Sequence, residues 1–82
     1  MYELIFIKSA EADFDSLDRA LQNRVVEVLE RIKINPRRYL KKLVGTDYYR
    51  LRVGDYRVII HIDEPKKRLV ILRIGHRKNV YL

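Results

Sequence analysis

Four arginines and one tyrosine in the C-terminal half have the chemistry needed to grip and activate a phosphodiester: Arg50, Arg52, Arg57, Arg77 and Tyr81. A guanidinium fork engages two phosphate oxygens at once and keeps its charge at any physiological pH. A tyrosine ring stacks on a base, and its hydroxyl donates a hydrogen bond. Cutting RNA through its own 2′-hydroxyl has three requirements: removal of the 2′ proton, stabilisation of charge on the phosphorane, and protonation of the 5′ leaving oxygen. On an RNA undergoing that reaction, Arg57 and Arg77 could meet the phosphorane, Arg50 and Arg52 could supply phosphate grip and charge, and Tyr81 could orient the nucleotide. Arginines serve proton transfer poorly, which turns attention to His76, the titratable neighbour of Arg77. Its plainer role is to close the last strand. His61 is assigned to packing, and Lys41, Lys42 and Lys78 to outer contacts with RNA, for which solvated surface lysines are the ordinary alternative.

These side chains need a scaffold that brings them together. Two β-rich runs, Thr46–Val53 and Tyr56–Asp63, are separated by Gly54-Asp55 alone, the signature of a tight hairpin with a primed turn. That turn sets a register in which Val53 pairs with Tyr56, Arg52 with Arg57 and Arg50 with Ile59. Alternation then places Arg50, Arg52 and Arg57 on one face, with Tyr49, Leu51, Val53, Tyr56, Val58 and Ile60 on the other. Like charges directly opposite each other destabilise a sheet, so such a face calls for acidic neighbours or an anionic ligand.

Upstream, Tyr2–Ile7 reads as a first strand. Ser9 is the expected N-cap of a short helix running to about Leu17, and Asp18 that of a second. Leu21, Val25, Val28, Leu29 and Ile32 give the second helix its apolar stripe, Glu27 and Arg31 stand four apart to pair, and Asn35-Pro36 ends it. Arg68–Ile74, closed by Gly75, is the last strand. The expectation is a single α+β domain over residues 1–82, with strand, two-helix hairpin and three-strand antiparallel meander in order (β-α-α-β-β-β) and the helices packed on the sheet.

Charge agrees with an anionic partner. Residues 1–32 carry four basic and seven acidic residues, whereas residues 33–82 carry fourteen and four, so the formal net charge of +7 comes from the second part. Such a one-sided field attracts polyanions. The absence of cysteine excludes disulfides and thiolate metal sites, and two histidines make no convincing zinc site, so no metal or cofactor is expected. Without a leader signal or an apolar run long enough to span a bilayer, the expected setting is the cytoplasm, with no membrane partner.

The segments Tyr49-Arg50-Leu51-Arg52-Val53-Gly54-Asp55-Tyr56-Arg57-Val58 and Ile74-Gly75-His76-Arg77-Lys78-Asn79-Val80-Tyr81 resemble the RelE-type toxins of the RelE/ParE superfamily, and length and element order match along nearly the whole chain. The resemblance implies the toxin of a type II toxin–antitoxin system: a metal-independent endoribonuclease (messenger RNA interferase) that cuts messenger RNA in the ribosomal A site and so inhibits translation. Its implied partners are the ribosome, messenger RNA and a small, partly disordered RelB-like antitoxin. Position by position, Arg50 and Arg52 match two basic residues of the family's second strand, Arg57 its hairpin arginine, Arg77 the arginine after the last strand and Tyr81 the terminal tyrosine. Some members carry lysines in place of Arg50 and Arg52, which leaves the general base open. Two alternatives stand beside this reading: a ParE-type toxin acting on DNA gyrase, and a non-enzymatic RNA- or ribosome-binding module.

Overall fold

In the computed structural model, which describes residues 1–79, β1 (Glu3–Phe6) leads into α1 (Lys8–Asp15) and α2 (Arg19–Ile32). A 3₁₀ turn (Pro36–Arg38) follows, then β2 (Lys41–Lys42), β3 (Tyr49–Val53), β4 (Tyr56–Asp63) and β5 (Arg68–His76). The five strands form one sheet in the order β1-β5-β4-β3-β2. The meander β3-β4-β5 is antiparallel as expected, while β1 adds to the outer side of β5 in parallel, with Leu4 level with Leu69 and Phe6 level with Ile71.

Both helices cover one face of the sheet. α2 presents Val25, Leu29 and Ile32, all fully buried, against Leu51, Val53, Val58, Ile60, Leu69, Ile71 and Ile74. Its N-terminus is capped as expected, with the Asp18 carboxylate accepting from the Leu21 N–H at 2.8 Å. Glu27 and Arg31 pair at 3.5 Å on the solvent side. No helix is long and apolar enough to cross a membrane.

Three expectations need correction. Ser9 is not a cap: α1 begins at Lys8 behind Ile7, and the Ser9 hydroxyl donates instead to the Leu72 carbonyl at 2.8 Å. Beyond Ile71, β5 has lost its β1 neighbour, and α1 satisfies the open edge. The Ile7 N–H meets the Ile71 carbonyl, Ser9 the Leu72 carbonyl, and the Asp13 carboxylate accepts from the Ile74 N–H at 2.9 Å. These contacts meet the rule that buried backbone groups be paired. Secondly, the sheet gains a strand: two lysines, with no alternating pattern to announce them, pair along β3 as β2. Thirdly, β5 runs on through Gly75 to His76, with a register irregularity opposite Ile59 and Ile60.

The β4–β5 turn is held by an ionic cluster. Glu64 accepts from the Tyr2 hydroxyl at 2.6 Å, from Lys67 at 3.2 Å and from Arg37 at 3.2 Å, and Arg37 also donates to the Tyr49 hydroxyl. The Tyr2 and Lys67 hydrogen bonds, with Arg37 beside them, lower the Glu64 carboxyl from its ordinary 4.5 to about 2. A depressed carboxyl stabilises the fold above its unfolded pKa and loses that contribution as pH falls from about 4.5 towards 2. Glu64→Gln is therefore expected to melt below wild type at pH 7, with the gap between the two melting temperatures narrowing below about pH 4.5 and closing only as pH reaches about 2. A gap of constant size across that range would show that the carboxylate is not the stabilising group.

Candidate phosphate-binding face

The β3–β4 turn builds the site. Positive φ is confined there to Gly54, at +60°, which suits a primed two-residue turn and would strain any other residue. A Cβ at this position would lie 3.3 Å from Nη1 of Arg24, the end of an exposed side chain that reaches over the turn from α2 and has room to shift, so the backbone conformation is what calls for glycine. The register follows the sequence expectation residue for residue: Arg52 opposite Arg57, Arg50 opposite Ile59, Val53 opposite Tyr56. Since Leu51, Val53 and Val58 are buried under the helices, Arg50, Arg52 and Arg57 belong to the uncovered face.

Two further residues adjoin that face. Lys41 pairs with Arg50 across β2 and β3, extending the cationic row. On the other side Arg57 is level with Gly75, which contributes no side chain. The Arg77 N–H donates to the Asp55 carbonyl at 2.9 Å, so Arg77 is anchored beside the same turn. Arg50 and Arg57 are half-buried, and Arg52 and Arg77 exposed. None of the four forms a hydrogen bond or ion pair through its side chain with another described residue.

Their isolation follows from where the acids are. Glu64 is engaged at the far end of β4 with Arg37 and Lys67, and Asp63 is level there with Arg68. Arg73, level with Ile59, is drawn to α1, where Asp13 accepts from its Nε at 2.8 Å. Burial works against the charged form of Asp13, but the hydrogen bonds from Arg73 and from the Ile74 N–H, with the Arg73 charge, outweigh it and hold the carboxyl low. The arginines of the hairpin end keep no such partner among the described residues.

The remaining expected site residues separate. His76 is level with Tyr56 on the helix-covered side, its ring edge-to-face with Tyr56 at 5.5 Å and its Nδ1 accepting from the Lys78 N–H at 3.3 Å. Strand alternation thus turns it away from Arg50, Arg52 and Arg57, and the structure does not bring it into their group. His61 lies on the arginine side, half-buried, edge-to-face with Tyr48 at 6.2 Å, its Nδ1 buried without a hydrogen-bond partner among the described residues. Lys42 is level with Tyr49, facing away from Lys41, and Lys78 sits in the exposed turn after β5. Tyr81 lies outside the described residues.

Two participants escaped the sequence. Arg24 gives no sign in a helical pattern that it will overhang the turn. Tyr39, between the 3₁₀ turn and β2, lines a hollow of about 200 Å³ with Lys41, Arg50 and Arg52. A tyrosine two residues before a lysine pair carries no pattern that points there.

Comparison with known proteins agrees with this fold. The profile of the family described as the ParE toxin of type II toxin–antitoxin system, parDE, matches residues 4–81. Among solved structures, the chain is similar to one in the RelBE2 toxin–antitoxin complex from Mycobacterium tuberculosis, with 30% identity, 93% of this chain and 98% of that one covered, and a TM-score of 0.86. It is likewise similar to one in the archaeal RelE–RelB complex from Pyrococcus horikoshii OT3, with 30% identity, 96% and 98% covered, and a TM-score of 0.79. The isolated RelE toxin of E. coli, 21% identical over 93% of this chain and 84% of that one, shares the fold with a TM-score of 0.81. No curated protein matches the sequence.

Proposed function

The chain belongs to the ParE toxin family of type II toxin–antitoxin systems, and from that premise we propose that it is an endoribonuclease that cuts messenger RNA during translation, at the ribosomal A site. The observation that carries this reading is the uncovered sheet face, where Arg50, Arg52 and Arg57 converge without a carboxylate partner among the described residues. A cationic array of this kind is costly while empty and is relieved by a phosphodiester.

In the proposed reaction the 2′-hydroxyl gives its proton to water as its oxygen bonds to the adjacent phosphorus, the bond to the 5′-oxygen breaks, and that oxygen takes a proton from water, leaving a 2′,3′-cyclic phosphate and a 5′-hydroxyl. Arg57 and Arg77 stabilise the charge that grows on the non-bridging oxygens; Arg50 and Arg52 hold the phosphate in place; Tyr81 orients the nucleotide. With His76 on the other side of the sheet, the face supplies charge and position rather than proton transfer, since arginine holds its proton too tightly to act as a base. Such a site gains most from a substrate already bent into line, which suits a message held by the ribosome. Lys41, Lys42 and Lys78 are outer contacts in this scheme. The cognate antitoxin, a small partly disordered RelB-like protein, would offset the cationic half with acidic residues, and the working location is the cytoplasm.

The name of the matching family favours one competitor, a toxin acting on DNA gyrase. Primer extension on a translated message and a gyrase supercoiling assay, run side by side, separate the two. New messenger RNA ends with supercoiling unaffected are expected; blocked supercoiling with intact message would overturn the proposal.

A further inference from the structure

Tyr39 stands where an ordinary core tyrosine would not. Its neighbour Leu40 is buried in the core, and Tyr39 itself is 44% exposed. The 3₁₀ turn fixes its backbone, the Tyr39 N–H bonding to the Pro36 carbonyl at 3.0 Å. Tyr39 lines a hollow with three cations, Lys41, Arg50 and Arg52, and none of the four side chains has a hydrogen-bond or ion-pair partner among the described residues. Other aromatic rings here are spoken for: Tyr2 and Tyr49 by overlying cations, Phe6 and Phe14 by each other, Tyr48 and Tyr56 by histidines. The Tyr39 ring takes part in no such contact with another described residue.

An aromatic face beside unpaired cations is the recurring arrangement by which proteins hold single-stranded nucleic acid, the base on the ring and its phosphate on the charges. We infer that Tyr39 is a base-stacking platform for the nucleotide next to the one whose phosphate is cut, with Lys41, Arg50 and Arg52 holding the intervening backbone. The inference rests on the ribonuclease reading and extends it by one subsite. The sheet supplies the spacing: Arg52 lies directly across from Arg57, and Arg50 lies diagonally from it at about 7–8 Å, one step along an extended strand. Stacking tolerates any base, so the subsite confers grip and register rather than sequence choice.

The test uses a short, labelled 2′-O-methyl RNA oligonucleotide, whose blocked 2′ positions prevent cleavage, intact and with single bases removed in turn. Binding by fluorescence anisotropy is compared for wild type, Tyr39→Leu and Tyr39→Trp, with unfolding curves recorded for each. Tyr39→Leu is expected to bind the intact oligonucleotide roughly 5- to 100-fold more weakly. Removing the stacked base should weaken wild type by a similar factor and Tyr39→Leu hardly further. Tyr39→Trp should bind as well as wild type, and its indole, the sole tryptophan in a protein that has none, should be quenched by RNA. Equal binding by folded Tyr39→Leu, an abasic penalty that is the same in both proteins, or an unquenched indole overturns the subsite. Wild type that cuts translated message yet shows any of these results removes the subsite alone. Wild type that neither binds the oligonucleotide nor cuts message removes the ribonuclease reading with it.

Discussion

Replacing Arg57 with alanine should reduce message cleavage by about 10²–10³ and leave the protein folded, because one preorganised contact to transition-state charge is commonly worth that much. Stability is expected to stay level or to rise by about 0.2–1 kcal/mol, the scale of a like-charge cross-strand pair, since Arg52 then loses the cation directly opposite it. The opposite signs matter. A residue holding the fold together loses stability and activity in parallel, whereas one that exists for its ligand loses activity alone. Arg77→Ala should follow the same pattern. Cut-end mapping and a denaturant midpoint on the same preparations check both quantities, and full cleavage by folded Arg57→Ala would sink its assignment.

A larger effect on the fold itself is expected from Leu69→Ala. Leu69 is completely buried in β5, level with Leu4 on one side and Ile62 on the other, so its truncation opens a cavity where three strands meet. Such a change costs about 2–5 kcal/mol. For 82 residues the total stability is roughly 4–12 kcal/mol at ordinary values per residue. The variant should therefore unfold well below wild-type temperatures and be partly unfolded at the low end of that range. An antitoxin binding only the folded form adds about 4 kcal/mol when present at a thousand times its Kd. Leu69→Ala should accordingly be recovered in soluble form when co-expressed with its antitoxin and poorly without it. A melting temperature within a few degrees of wild type, measured on the free variant, would contradict this account.

Local chemistry made much of this legible. Gly54-Asp55 dictated the hairpin and, through alternation, the convergence of Arg50, Arg52 and Arg57, because a two-residue turn leaves no freedom of register. Asp18 and the stripe ending at Ile32 dictated α2 for the same reason, each signal acting within a few residues. Contacts between distant residues were not legible. Ser9 looks like a cap until the unpaired Leu72 carbonyl claims its hydroxyl. The pairing of Arg73 with Asp13, sixty residues away, has no local signal. His76 adjoins Arg77 in sequence, but β5 continues far enough that alternation separates it from the arginines. The short strand Lys41–Lys42 has no periodicity to read, and with it went the place of Tyr39.

The parallel pairing of β1 with β5 sets a clock on synthesis. β1 has no hydrogen-bonding neighbour in the sheet until residues 68–71 have been made. At about 5–20 residues per second, that wait is roughly 3–13 s. During it β4 also lacks one of its two neighbours, so the arginine hairpin stands on an unfinished sheet with one edge of β4 open. A chain that stalls before β5 is made leaves two strand edges open, prone to aggregate rather than to act. The harmful form thus comes into being late and all at once, and an inhibitor that binds only the folded toxin has its target as soon as β5 is in place.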